Sequence, residues 1–163
     1  MYTQMNDIAS IIITQARTWL GTPFHHQARL KGVGCDCLGL VVGVVDELGL
    51  KDKHGQLLCW YDEIAYSKEP DGAYLTQKLT DLLEEVQVTQ AGDLALFAVR
   101  DNPQHLAIIT DYPCAGVGRA VSAKEIGGLG MIHAYAPARR VVEHRLDDDW
   151  NSRLVKLFRW QLD

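Results

Sequence analysis

The apolar positions of this chain change period about halfway along it. In the first part they recur every three or four residues. Ile8, Ile11, Ile12, Ala16, Trp19 and Leu20 share one helical face behind Asn6-Asp7 as a cap, and Gly21 followed by Pro23 stops that helix. Residues 24–34 hold His25, His26, Arg29, Lys31 and two glycines, and predict a loop. Over 37–48, Leu38, Leu40, Val41, Val42, Val44, Val45 and Leu48 cover nearly the whole circumference, so this second helix, ended by Gly49, belongs in the core. Residues 57–70 are irregular and aromatic, with Trp60, Tyr61 and Tyr66. Asp71-Gly72 opens a third helix through Leu75, Leu79, Leu82, Leu83 and Val86.

Beyond it the pattern becomes strand-like. Residues 94–99, 106–110, 131–135, 140–145 and 154–160 read as about five strands, separated by turn signals at 91–93, 101–103 and Ala136-Pro137. Helices first and strands second predict an α+β domain whose helices pack on an antiparallel sheet. Residues 112–130 break the rhythm with five glycines in a connection longer than most.

At 163 residues the chain fits a single domain, 1–163, with room for a sizeable core. The formal charge of -5 leaves no basic stripe, which excludes a nucleic-acid module. A 47% hydrophobic and 23% charged composition excludes intrinsic disorder. The apolar runs are too short for membrane insertion, and no Lys or Arg precedes Arg17 to start a signal peptide, so the expected place of synthesis and residence is the cytoplasm, unless another machine exports the protein. In such a chain Cys35, Cys37, Cys59 and Cys114 are better read as free thiols, metal ligands or a catalytic thiolate than as disulfides.

The sharpest local feature is Gly34-Cys35-Asp36-Cys37-Leu38-Gly39-Leu40. It puts a cysteine on the first turn of a buried helix with Asp36 as N-cap. The helix end favours a thiolate, and its amides suit an oxyanion; the charge of Asp36 opposes the thiolate unless its carboxylate is occupied. The bland alternative is that Cys37 is a small buried hydrophobe. A thiolate nucleophile needs a base. Of six histidines, His105 and His133 sit on strands that should face a core; His25, His26, His54 and His144 sit in polar settings. Cys35, Cys37, His105 and His133 would also make a sulfur–nitrogen zinc set, although a Cys-x-Cys spacing is tighter than structural zinc sites use.

Four stretches together resemble the NlpC family of papain-like cell-wall cysteine peptidases, and its phage-associated branch in particular. Leu20-Gly21-Thr22-Pro23-Phe24-His25-His26-Gln27 is similar to the family's Gly-x-Pro-Tyr approach segment. Gly34-Cys35-Asp36-Cys37-Leu38-Gly39-Leu40-Val41 resembles its Asp-Cys-Ser-Gly-Leu-Val nucleophile motif. Ala91-Gly92-Asp93-Leu94 resembles its Pro-Gly-Asp-Leu strand entry. His105-Leu106-Ala107-Ile108 resembles its His-Val-Gly-Ile strand, followed by Ile132-His133-Ala134.

The resemblance implies a papain-like fold and hydrolysis of peptidoglycan stem peptides, at the bond from D-γ-glutamate to a diamino acid. Cys37 takes the nucleophile position, His105 the base position and His133 the orienting position. Phe24 stands where the family has tyrosine, so His25 or backbone amides would supply oxyanion donors, with Asp36 and Leu38 beside the nucleophile. Leu38 in place of serine fits the phage-type branch. No cofactor and no metal are called for. The partners implied are a peptidoglycan peptide and phage tail proteins, with delivery to the wall by a virion, since no wall-binding module fits the length. A non-catalytic tail-assembly module, and an amidase or acyltransferase on a non-wall substrate, are the alternatives.

Overall fold

In the computed structural model, residues 2–63, 65–68, 70–112 and 128–161 are described. Helix α1 (Tyr2–Arg17) starts before the expected cap at Asn6-Asp7 and ends in a turn closed by Gly21 at φ 83°. The supposed loop that follows contains a small hairpin, β1 (Arg29–Leu30) with β2 (Gly34–Cys35). Helix α2 (Cys37–Leu48) keeps the bounds its sequence predicts. The Asp36 carboxylate accepts the Gly39 N–H, and Gly49 caps the other end in the left-handed region at φ 61°. Leu40, Val41, Val44 and Val45 are buried. Trp19 of the turn after α1 lies over Gly43, where a methyl group would stand 2.1 Å from the indole.

A 3-10 turn (Leu58–Tyr61) leads to α3 (Gly72–Leu82), capped by Asp71. The sequence pattern carried this helix on to Val86. The chain instead leaves it at Leu82 and enters an edge strand, β3 (Glu84–Val86), which pairs antiparallel with the C-terminal strand. The remaining strands are β4 (Leu94–Val99), β5 (Asn102–Thr110), β6 (Gly130–Tyr135), β7 (Arg140–Arg145) and β8 (Leu154–Arg159), with a five-residue helix α4 (Asp148–Ser152) before β8. The sheet therefore has six strands rather than five, all antiparallel, in the order β3-β8-β4-β5-β6-β7.

Alternation along the central strands gives the sheet two buried faces. Leu94, Leu96, Leu106, Ile108, Ile132 and Ala134 face the helices, in one core with Ile12, Leu40, Val44 and Leu79. Ala95, Phe97, Ala107, Ile109 and Met131 face the other way, against Trp150 of α4. No helix among the described residues is long and apolar enough to cross a membrane. The glycine-rich connection 112–130 falls, for residues 113–127, outside the described residues.

Candidate active site

The N-terminus of α2 abuts β5 where that strand is irregular. Phe97 pairs with His105 but Ala98 pairs with Pro103, so Gln104 is a bulge residue immediately before His105. The Cys37 thiol donates to the Gln104 carbonyl at 3.8 Å and its sulfur takes the Leu106 N–H, so it rests on both residues flanking His105. The backbone N–H groups of Cys37 and Leu38 also favour the thiolate. Burial and the neighbouring Asp36 charge outweigh these donors and push the Cys37 thiol up to about 11. The expected preference for a thiolate at the helix end is therefore reversed in the resting protein: Cys37 is a thiol.

Asp36 is fully engaged. Besides the Gly39 N–H, its carboxylate accepts the Gln27 N–H at 2.7 Å and the Tyr66 hydroxyl. These bonds tie the loop before α2, the helix start and Tyr66 into one wall. Gly39 is required there, because a methyl group would stand 2.0 Å from the Ala28 carbonyl oxygen.

His105 and His133 lie on the far face of the sheet from α2, beneath Trp150. The His105 Nε2 is 2.6 Å from His133 Nδ1, and His133 Nε2 is 2.7 Å from His144 Nε2. Trp150 covers the row, with ring centroids 5.4, 5.1 and 6.3 Å from His105, His133 and His144. Burial, with Arg153 and His144 nearby, lowers His105 from 6.5 to about 4, and burial with the two neighbouring rings lowers His133 further. Both imidazoles are neutral at physiological pH.

Phe24, Asp36, Cys37, Leu38 and His105 line one cavity of about 620 Å³. His133 is wholly buried behind His105. His25 is exposed, with its Nδ1 on the His26 carbonyl and no place in the cavity wall; His26 lines the cavity and donates from Nε2 to the Tyr66 carbonyl. Cys35 does not enter the cavity either: it is buried in the helix-side core, where desolvation holds its thiol near 12. Among the described residues no group of three or more His, Cys, Asp and Glu is disposed to hold a metal ion. Sequence reasoning passed over Tyr66, Trp150 and the place of His144 beside His133. The 136–139 turn held the signal for the last, since a hairpin centred there puts His144 opposite Met131 and on the face of His133.

No family model matches the chain, and no curated protein matches it. Among solved structures, the chain is similar to the NlpC/p60 domain of the peptidoglycan hydrolase SagA, with a TM-score of 0.52 and 18% identity, covering 93% of this chain and 97% of that one. It is also similar to an NLP/P60 family lipoprotein-like protein of Staphylococcus aureus, with a TM-score of 0.58 and 18% identity, and to an NlpC/P60 family protein of Bacillus cereus, with a TM-score of 0.52 and 20% identity. The matches cover 96% and 93% of this chain but 42% and 40% of those longer chains. At this identity the likeness establishes the fold: an α+β arrangement of the NlpC/P60 papain-like type.

Proposed function

We propose that the chain is a cysteine peptidase acting on peptidoglycan stem peptides, with Cys37 as nucleophile, His105 as base and His133 as the group that orients it. The observation that carries this reading is the seat of the Cys37 sulfur on the two residues flanking His105, with His105 in turn bonded to His133, all on an NlpC/P60-like fold. Because the resting cysteine is a thiol and the resting imidazole neutral, the proton moves in the reaction. His105 takes it from Cys37 as sulfur attacks the scissile carbonyl, then gives it to the departing amine. Water hydrolyses the resulting thioester and frees Cys37. The N–H groups of Cys37 and Leu38 at the start of α2 are the oxyanion donors, and Phe24 contributes an apolar wall.

The substrate assignment rests on the resemblance of the four motifs and on the fold. So does the choice of the D-γ-glutamyl–diamino acid bond. The Cys-Asp-Cys-Leu-Gly-Leu motif supports a phage tail or prophage carrier that brings the enzyme to the wall. A panel of muropeptides and simple amides, incubated with reductant and resolved by mass spectrometry, tests the reading. Cleavage confined to stem peptides is expected. Turnover of simple amides alone would replace the wall substrate with a general amidase activity.

A further inference from the structure

We propose that His144 is a positioning residue, which fixes through His133 the tautomer that leaves His105 Nδ1 free to act as base. This rests on the reading of His105 as the base for Cys37. The inference follows from the order of bonds along the row. His144 Nδ1 is 2.8 Å from the Arg145 carbonyl oxygen, which can only accept, so Nδ1 carries a hydrogen. In neutral His144 the other nitrogen, Nε2, is then a lone pair facing His133 Nε2 at 2.7 Å, so His133 Nε2 donates. Neutral His133 is left with a lone pair on Nδ1, which takes the Nε2 hydrogen of His105 at 2.6 Å. His105 therefore carries its proton on Nε2 and presents an unprotonated Nδ1. Each assignment forces the next, and one backbone carbonyl at the end of β7 sets all three.

The same row gives the charge created in catalysis a way out. When His105 Nδ1 accepts the thiol proton, its Nε2 proton can pass to His133 Nδ1, and the His133 Nε2 proton to His144 Nε2. Three bonds to hydrogen break and three form, and the positive charge ends on His144. Burial disfavours a cation at His105 and His133, whereas His144 is partly open to solvent. His105 is left neutral with a hydrogen on Nδ1, ready for the leaving amine. Among the described residues, the rings that face His144 are His133 from β6 and Trp150 from α4. Asp147 is held by the Trp150 N–H, Asp149 by Arg153, and Glu143 by Arg17.

The test separates acceptor from donor at position 144. His144→Gln can offer an oxygen to His133, His144→Lys offers only hydrogens, and His144→Leu offers neither. Alkylation of Cys37 by iodoacetamide near pH 7, read by peptide mass spectrometry, needs no peptidoglycan substrate. We expect His144→Gln to stay within about threefold of the wild type, and His144→Lys and His144→Leu to slow by about tenfold or more, each read well below that variant's own melting temperature. Long-range nitrogen–proton NMR of the imidazoles should find His105 and His133 both protonated on Nε2. Equal slowing in all three variants would mean a purely steric role, and unchanged rates in His144→Leu, or a proton on His105 Nδ1 in the resting protein, would overturn the proposal. Failure to cleave any muropeptide, with this alkylation order kept, would reject the substrate reading and leave the relay intact.

Discussion

Cys35 and Cys37 are two residues apart and chemically unlike. Cys35 is a core side chain on β2, and Cys37 opens α2 at the cavity wall. With Cys37 as the proposed nucleophile, Cys37→Ala is expected to lower turnover by about ten-thousandfold or more. Its melting temperature should fall by less than about 4 °C, the shift that roughly 1 kcal/mol produces in a chain of this size. His105→Ala, at the proposed base, should be as inactive, and His133→Ala, at the proposed orienting position, should retain some turnover. Cys35→Ser reverses the pattern. A hydroxyl in an apolar core costs about 1–3 kcal/mol, while kcat stays near the wild-type value. Kinetics and thermal melts on the four variants check this; a dead Cys35→Ser with normal stability would contradict it. The sequence made Cys37 legible because an acidic N-cap and a following glycine mark a helix start. It did not reveal the protonation state, which depends on desolvation by segments far away in the chain. Nor did it reveal Tyr66, which reaches Asp36 from a stretch with no periodicity to read.

At the scale of elements, the start of α2 is held by three short contacts rather than by helix propensity. The Asp36 cap, the Gln27 N–H on the same carboxylate and the Ala28 carbonyl against Gly39 fix where the helix begins relative to the loop. Gly39→Ala drives a methyl group into that carbonyl. We expect a loss of about 1–3 kcal/mol and a larger fall in kcat than in substrate affinity, because the sulfur moves with the helix start. A Gly39→Ala variant with wild-type kcat would show that the loop yields without disturbing Cys37. The bounds of α2 were readable because Asp36 and Gly49 punctuate a continuous apolar run. The end of α3 was not, because Leu83 and Val86 continue a helical spacing and only pairing with β8 turns them into the approach to an edge strand. The Gln104 bulge left no mark either, since a bulge is a relation between two strands.

Across the whole molecule, one six-stranded sheet has the helix of Cys37 on one side and the histidine row on the other, and the Cys37 sulfur rests on the backbone of β5 at its bulged end. The order of helices and strands predicted this class of fold, but two-sided burial was less visible, because Trp150 sits in a short acidic helix that carries no amphipathic pattern. Burying neutral histidines links stability to pH. The unfolded chain binds a proton at His105 below about 6.5, the folded protein only below about 4. Stability from this source is therefore complete above 6.5, is lost as the pH falls from 6.5 towards 4, and changes no further below that; His133 acts in the same direction. Thermal melts across this range should show the decline, and His133→Asn should make it shallower. An unchanged slope in that variant would place the pH dependence elsewhere.

The most direct measurement compares stem-peptide digestion by the wild-type protein and by Cys37→Ala under reducing conditions, with products identified by mass spectrometry. The account predicts a new amine and a new carboxylate at one bond with the wild type and none with the variant. Cleavage that persists in Cys37→Ala, or no cleavage of any stem peptide by the reduced wild-type protein, would contradict it.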